Sequence, residues 1–242
     1  MAFCKRGNVS IYYEEHGEGF PVLLLPPGGM HATVAWWDRA AFNPIHVLAD
    51  TFHLVALDQR NAGSSAGPLA AGDPWEAYAS DQLGLMDHLG IDRFHVLGCC
   101  IGCSYALRLI QQAPGRIVSA VLEQPVGIDE ANRQTLPNGW VQWAQELVEK
   151  RADVDLASAE AFGKRMWAGD FVLSVSREFV KSCQTPMLVL AGNDLAHPRA
   201  IGLEVAELAP KAELVVDWKE PPELIPGTID RIRSFLKAHR PG

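Results

Sequence analysis

Little in this 242-residue chain points toward a membrane, a nucleic acid or a metal. No stretch is long and apolar enough to span a bilayer. The opening residues, Met1-Ala2-Phe3-Cys4-Lys5-Arg6-Gly7, lack the apolar centre of a signal peptide. Lys and Arg are outnumbered by Asp and Glu, giving a net charge of −8. They form no cluster of the kind that binds phosphate backbones. The five cysteines are odd in number and have no disulfide-scaffold rhythm. These absences describe a cytoplasmic protein with reduced thiols, with neither nucleic acid nor membrane as partner. There are no internal repeats, and 48% hydrophobic residues supply a sizeable core.

What is present is an alternation of apolar runs and helical stretches. Residues 9–16, 21–25, 52–57, 94–97, 117–122, 186–192 and 213–216 read as strands. Residues 75–90 and 223–239 carry helical spacing. Strands alternating with helices predict an α/β fold: a mainly parallel sheet with helices on both faces. Residues 126–182 break this rhythm. They are expected to form a small helical cap inserted into a core made of residues 1–125 and 183–242. Trp140, Trp143 and Trp167 in the cap have two readings, as packing residues or as walls of an apolar substrate pocket.

The most informative segment is Gly98-Cys99-Cys100-Ile101-Gly102. It joins the strand ending at Leu97 to the helix beginning near Ser104. A sharp strand-to-helix turn with glycines two residues either side of its centre thrusts the central side chain above the sheet. That side chain belongs to Cys100, at a helix N-terminus where amide hydrogens favour a thiolate. The N–H of Ile101, with one from Gly29 or Met30 in the loop Pro26-Pro27-Gly28-Gly29-Met30, would hold an oxyanion.

These segments resemble the α/β-hydrolase fold family, in particular its small lid-bearing, esterase- or lactonase-like members. Leu23–Gly29 is similar to the family's strand and oxyanion loop, without the usual His-Gly pair. Asp58-Gln59-Arg60-Asn61-Ala62-Gly63-Ser64-Ser65 resembles its D-x-R-G-x-G-x-S loop, with Asn61 in place of a glycine. Asp81–Ile91 resembles the helix before the elbow strand. Leu188–Asp194 resembles the strand whose end carries the triad acid. The resemblance implies a nucleophile at Cys100, where serine is usual; dienelactone hydrolase is another member with cysteine there. It implies no cofactor and no metal.

One expected residue is missing. The family's histidine lies between the last strand and the closing helix, yet Val216-Asp217-Trp218-Lys219-Glu220-Pro221-Pro222 contains none. His197, three residues past Asp194, is the candidate base, since a triad is defined by geometry and not by chain order. Its orienting acid is either Asp194, by position, or Glu123, at the end of the preceding strand, where some haloalkane dehalogenases carry theirs. His31 follows the oxyanion loop and could contact substrate. His46, His53, His88 and His95 read as packing or surface residues. Cys100 and Cys103 also form a C-x-x-C, but the flanking glycines fit an elbow better than a redox motif. The expected activity is hydrolysis or transfer of the acyl group of a small ester, lactone or thioester. The alternative is a ligand- or partner-binding protein of the same fold that has lost its triad.

Overall fold

In the computed structural model, which describes residues 2–241, eight strands form one sheet. They are β1 (Ala2–Arg6), β2 (Val9–His16), β3 (Phe20–Leu25), β4 (Phe52–Leu57), β5 (Phe94–Cys99), β6 (Ile117–Glu123), β7 (Met187–Leu190) and β8 (Ala212–Val215). Their spatial order is β1-β2-β4-β3-β5-β6-β7-β8. The first two pairings, β1 with β2 and β2 with β4, are antiparallel. The remaining pairings are parallel. The helices are α1 (Pro44–Leu48), α2 (Pro74–His88), α3 (Ile101–Gln112), α4 (Val141–Lys150), α5 (Leu156–Met166), α6 (Arg177–Ser182), α7 (Arg199–Leu208) and α8 (Ile225–Ala238). The expected mainly parallel sheet is therefore present. The edge strand β1 is not expected from the sequence, because Lys5 and Arg6 mask its alternation.

Alternation along the buried strands divides the core into two layers. Phe94 and Val96 face one layer with Trp75, Tyr78 and Tyr105 from α2 and α3, and Ile201 and Val205 from α7. Leu97 and Cys99 face the other, with Leu48 of α1 and Ile232, Phe235 and Leu236 of α8. Helices thus cover both faces of the sheet, as parallel pairing requires. The start of α2 is written locally: Pro74 occupies the first turn and the Asp73 carboxylate accepts from the Trp75 N–H.

Between β6 and β7 the chain leaves the sheet for α4, α5 and α6. Trp143, Phe162, Met166 and Trp167 from this segment join the layer of α2 and α3. The segment is also tied down by polar contacts. Trp143 Nε1 donates to the Asn61 carbonyl at 3.2 Å, and Arg151 Nη1 donates to Asn61 Oδ1 at 2.9 Å. Asn61 adopts a φ of 60°, which explains how asparagine substitutes for glycine in this loop. No helix among the described residues is long and apolar enough to cross a membrane.

Candidate active site

The elbow exists because two glycines let backbone pass close to backbone. A Cβ on Gly98 would lie 2.3 Å from the Gly102 carbonyl oxygen, and one on Gly102 would lie 2.0 Å from that of Leu25. Cys100 takes a φ of 59° at the N-cap of α3, a region costly for a non-glycine residue. Its N–H donates to the Glu123 carbonyl at 3.0 Å, and its carbonyl accepts from Cys103 N–H at 3.1 Å. The side chain is half-buried where the two core layers meet.

His197 reaches this position on the loop between β7 and α7. Gly192 makes the approach possible: a Cβ there would lie 2.1 Å from the His197 carbonyl oxygen and 2.5 Å from its Cβ. Asp194 organises the turn. Its carboxylate accepts from the N–H of Ala196 and of His197, each at 2.9 Å. The same carboxylate pairs with His197 Nδ1 at 2.8 and 2.9 Å. The opposite ring nitrogen, Nε2, is buried and makes no geometrically complete hydrogen bond among the described residues. It lies close enough to the Cys100 sulfur for each group to shift the other's pKa.

The electrostatics favour charge separation across that contact. Burial pushes the Cys100 thiol up, but His197 and the backbone N–H groups of Ile101 and Gly28 outweigh it and bring the thiol below its usual value. Burial pushes His197 down, while Cys100 and Asp194 more than compensate and raise it to about 9. Each group thus favours the charged form of the other.

Among the residues singled out from the sequence, Cys100, Ile101, His197 and Asp194 come together. Of the loop amides, that of Gly28 is the one that helps to lower the Cys100 thiol. Gly28 has a φ of 119°, and the next residues coil into a short turn in which the His31 N–H returns to the Gly28 carbonyl. Met30 is packed in the core. Glu123 does not meet His197. It lies on the face of β6 shared with Val121, beside Cys99, and its Oε1 has no partner among the described residues. Burial raises its carboxyl to about 8. Asp194, not Glu123, is the carboxylate paired with His197.

His31 pairs with Glu146 of α4 at 3.0 Å. With Trp143, Asn61 and Arg151 it lines a cleft of about 210 Å³, and Cys100 is not among that cleft's walls. Trp140 packs on Gly163, and Trp143 on Phe162 at 5.7 Å between ring centres. Trp167 lies over the oxyanion loop, 3.9 Å from where a Gly29 Cβ would be. Trp36, which the sequence does not single out, places its ring 2.9 Å from a Gly28 Cβ position. The signal was available: Gly28 is followed by a pair of tryptophans, Trp36 and Trp37, in the same loop. Where the family histidine would lie, Trp218 is buried with its Nε1 on the Ala191 carbonyl, and Lys219 donates to Gln124 Oε1 at 2.6 Å.

Comparison with known proteins agrees with this architecture. A family described as the alpha/beta hydrolase fold matches residues 21–166, and the chain belongs to it. The chain is 31% identical to the dihydrolipoyllysine-residue acetyltransferase component of the acetoin cleaving system of Cupriavidus necator, over 66% of this chain and 41% of that one. It therefore spans less than half of that relative's length. It is 28% identical to N-formylmaleamate deformylase of Pseudomonas putida, over 79% of this chain and 70% of that one. Among solved structures, a meta-cleavage product hydrolase from Pseudomonas fluorescens superposes with a TM-score of 0.72 at 20% identity, covering 96% of each chain.

Proposed function

We propose that this protein hydrolyses or transfers the acyl group of a small ester, lactone or thioester through Cys100. The observation that carries the reading is the His197 imidazole, held by Asp194 at Nδ1 with Nε2 buried, which lowers the Cys100 thiol and is itself raised by it. In this mechanism the Cys100 thiolate attacks the substrate carbonyl carbon. The oxyanion that forms is held by the N–H groups of Ile101 and Gly28. As the tetrahedral intermediate collapses, the carbonyl-to-leaving-group bond breaks and the leaving group takes the proton from His197 Nε2. The now neutral His197 accepts a proton from water, or from an alcohol or thiol acceptor, as that molecule attacks the acyl carbon. Collapse then expels the Cys100 thiolate and restores the ion pair. Asp194 keeps the proton on Nδ1 throughout.

Residues 126–182 act as the cap over residues 1–125 and 183–242, and Trp167 and Trp36 border the acyl site beside the oxyanion loop. Five free thiols suit a reducing, cytoplasmic setting. Activated esters, lactones and thioesters, with intact-mass detection of an adduct on Cys100, test the reading. Cys100→Ala abolishes turnover and adduct alike. Unchanged turnover in Cys100→Ala and His197→Ala would overturn this mechanism, and neither turnover nor adduct in the wild type across the panel would favour a binding protein.

A further inference from the structure

The loop bearing His197 has little packing of its own. Leu195, between Asp194 and His197, is 59% exposed. The seam between this loop and the segment after β6 is an open groove of about 280 Å³ lined by Asp129, Ala131, Asn193, Asp194, Leu195 and Arg199. One side chain closes the seam from beneath. Asn132 is fully buried, and its Nδ2 donates both to the Gly127 carbonyl at 2.8 Å and to the Leu195 carbonyl at 2.9 Å. Its Oδ1 accepts from the Asp129 N–H at 3.0 Å. The Asp129 carboxylate in turn accepts from the N–H of Ala131 at 2.9 Å and of Asn132 at 3.2 Å. Every polar group of the carboxamide is used, and only one amide orientation satisfies all three bonds.

We infer that Asn132 is a positioning residue that fixes the Asp194–His197 turn from the inserted segment, so that placement of that segment sets the reach of His197 toward Cys100. The inference rests on the reading of Cys100 and His197 as nucleophile and base. Asn132 touches the backbone of Leu195 and neither reacting side chain, so its influence is geometric. A carboxylate in its place would set negative oxygens against two carbonyl oxygens. A small apolar residue would leave both carbonyls unpaired and the turn free to drift, and catalytic groups tolerate little displacement.

The test compares wild type with Asn132→Ala and Asn132→Asp by ester turnover and by the pH dependence of Cys100 alkylation with iodoacetamide. The expected result is a fall in kcat of about tenfold for alanine and more for aspartate, with KM within about twofold. The alkylation inflection should also move up toward the ordinary thiol value. Loss of thermal stability alone would not move that inflection. Wild-type inflection and kcat in both variants would overturn the inference. Should neither variant fold, Asp129→Ala gives the same upward movement in smaller degree, and an unmoved inflection there would overturn it equally. A wild-type enzyme with no lowered inflection would instead remove the nucleophile reading, and this inference with it.

Discussion

Burial alone would favour the neutral form of both Cys100 and His197, and each offsets that cost for the other. In the proposed mechanism the working pair spans the range from the lowered value of the thiol to about 9, where His197 loses its proton. Ester turnover is therefore expected to fall in acid as the thiolate is protonated, and to fall again above about pH 9 as the imidazolium is lost. A pH–rate profile checks both limbs. Cys100→Ser keeps the elbow but replaces a thiolate by a hydroxyl with no comparable acidity, and should lose roughly a hundredfold or more in kcat/KM. Glu123 makes a different prediction. Its folded value lies above the usual 4.5, so its contribution to stability is full below about 4.5 and is lost as pH rises through about 8. Glu123→Gln should flatten that loss, with a gain of roughly 3 to 4 kcal/mol at pH near 8 relative to pH near 5, read by urea denaturation. Cys100, Ile101, Asp194 and His197 were legible in the sequence because each follows a strand end in a recognisable turn. Gly28 as the facing amide was not legible, since it depends on the coiling of Gly29–His31 that follows it.

At the level of elements, the proposed mechanism has the loop after β7 supply the imidazole that the loop after β8 lacks. Gly192 is the residue that permits it. Gly192→Ala would drive a methyl into the His197 backbone, so turnover should drop by roughly a hundredfold while the fold survives. Circular dichroism beside the activity measurement separates the two effects. The strands β3 to β7 could be read because burial on both faces writes them as apolar runs. Edge strand β1 could not, because an edge strand bordered by charge shows no such run. The tryptophans of α4, its N-terminus and the end of α5 carry no signal separating packing from pocket. Trp140 and Trp143 pack against Gly163 and Phe162, whereas Trp167 lies over the oxyanion loop. Only the tertiary position of the inserted segment distinguishes them.

Across the whole molecule, the segment resembling the D-x-R loop is a structural clasp. Arg60 and Asp81 form two hydrogen bonds at 2.6 and 2.7 Å, almost wholly buried, and join the loop after β4 to α2. Burial raises Asp81 even with Arg60 beside it. Removing one partner strands the other charge, so Asp81→Ala should cost about 3 kcal/mol in urea denaturation. The same clasp supports Asn61, and through it Trp143 and Arg151 of the inserted segment. The molecule thus holds its site between two layers of core and one inserted segment, with the sulfur at their junction. The measurement that tests this most directly is the ultraviolet absorbance of the Cys100 thiolate, taken as wild type minus Cys100→Ser and titrated across neutral pH. The account predicts a midpoint below the ordinary thiol value, moving above it in His197→Ala. A midpoint at or above the ordinary value in the wild type, unmoved when His197 is removed, would contradict it.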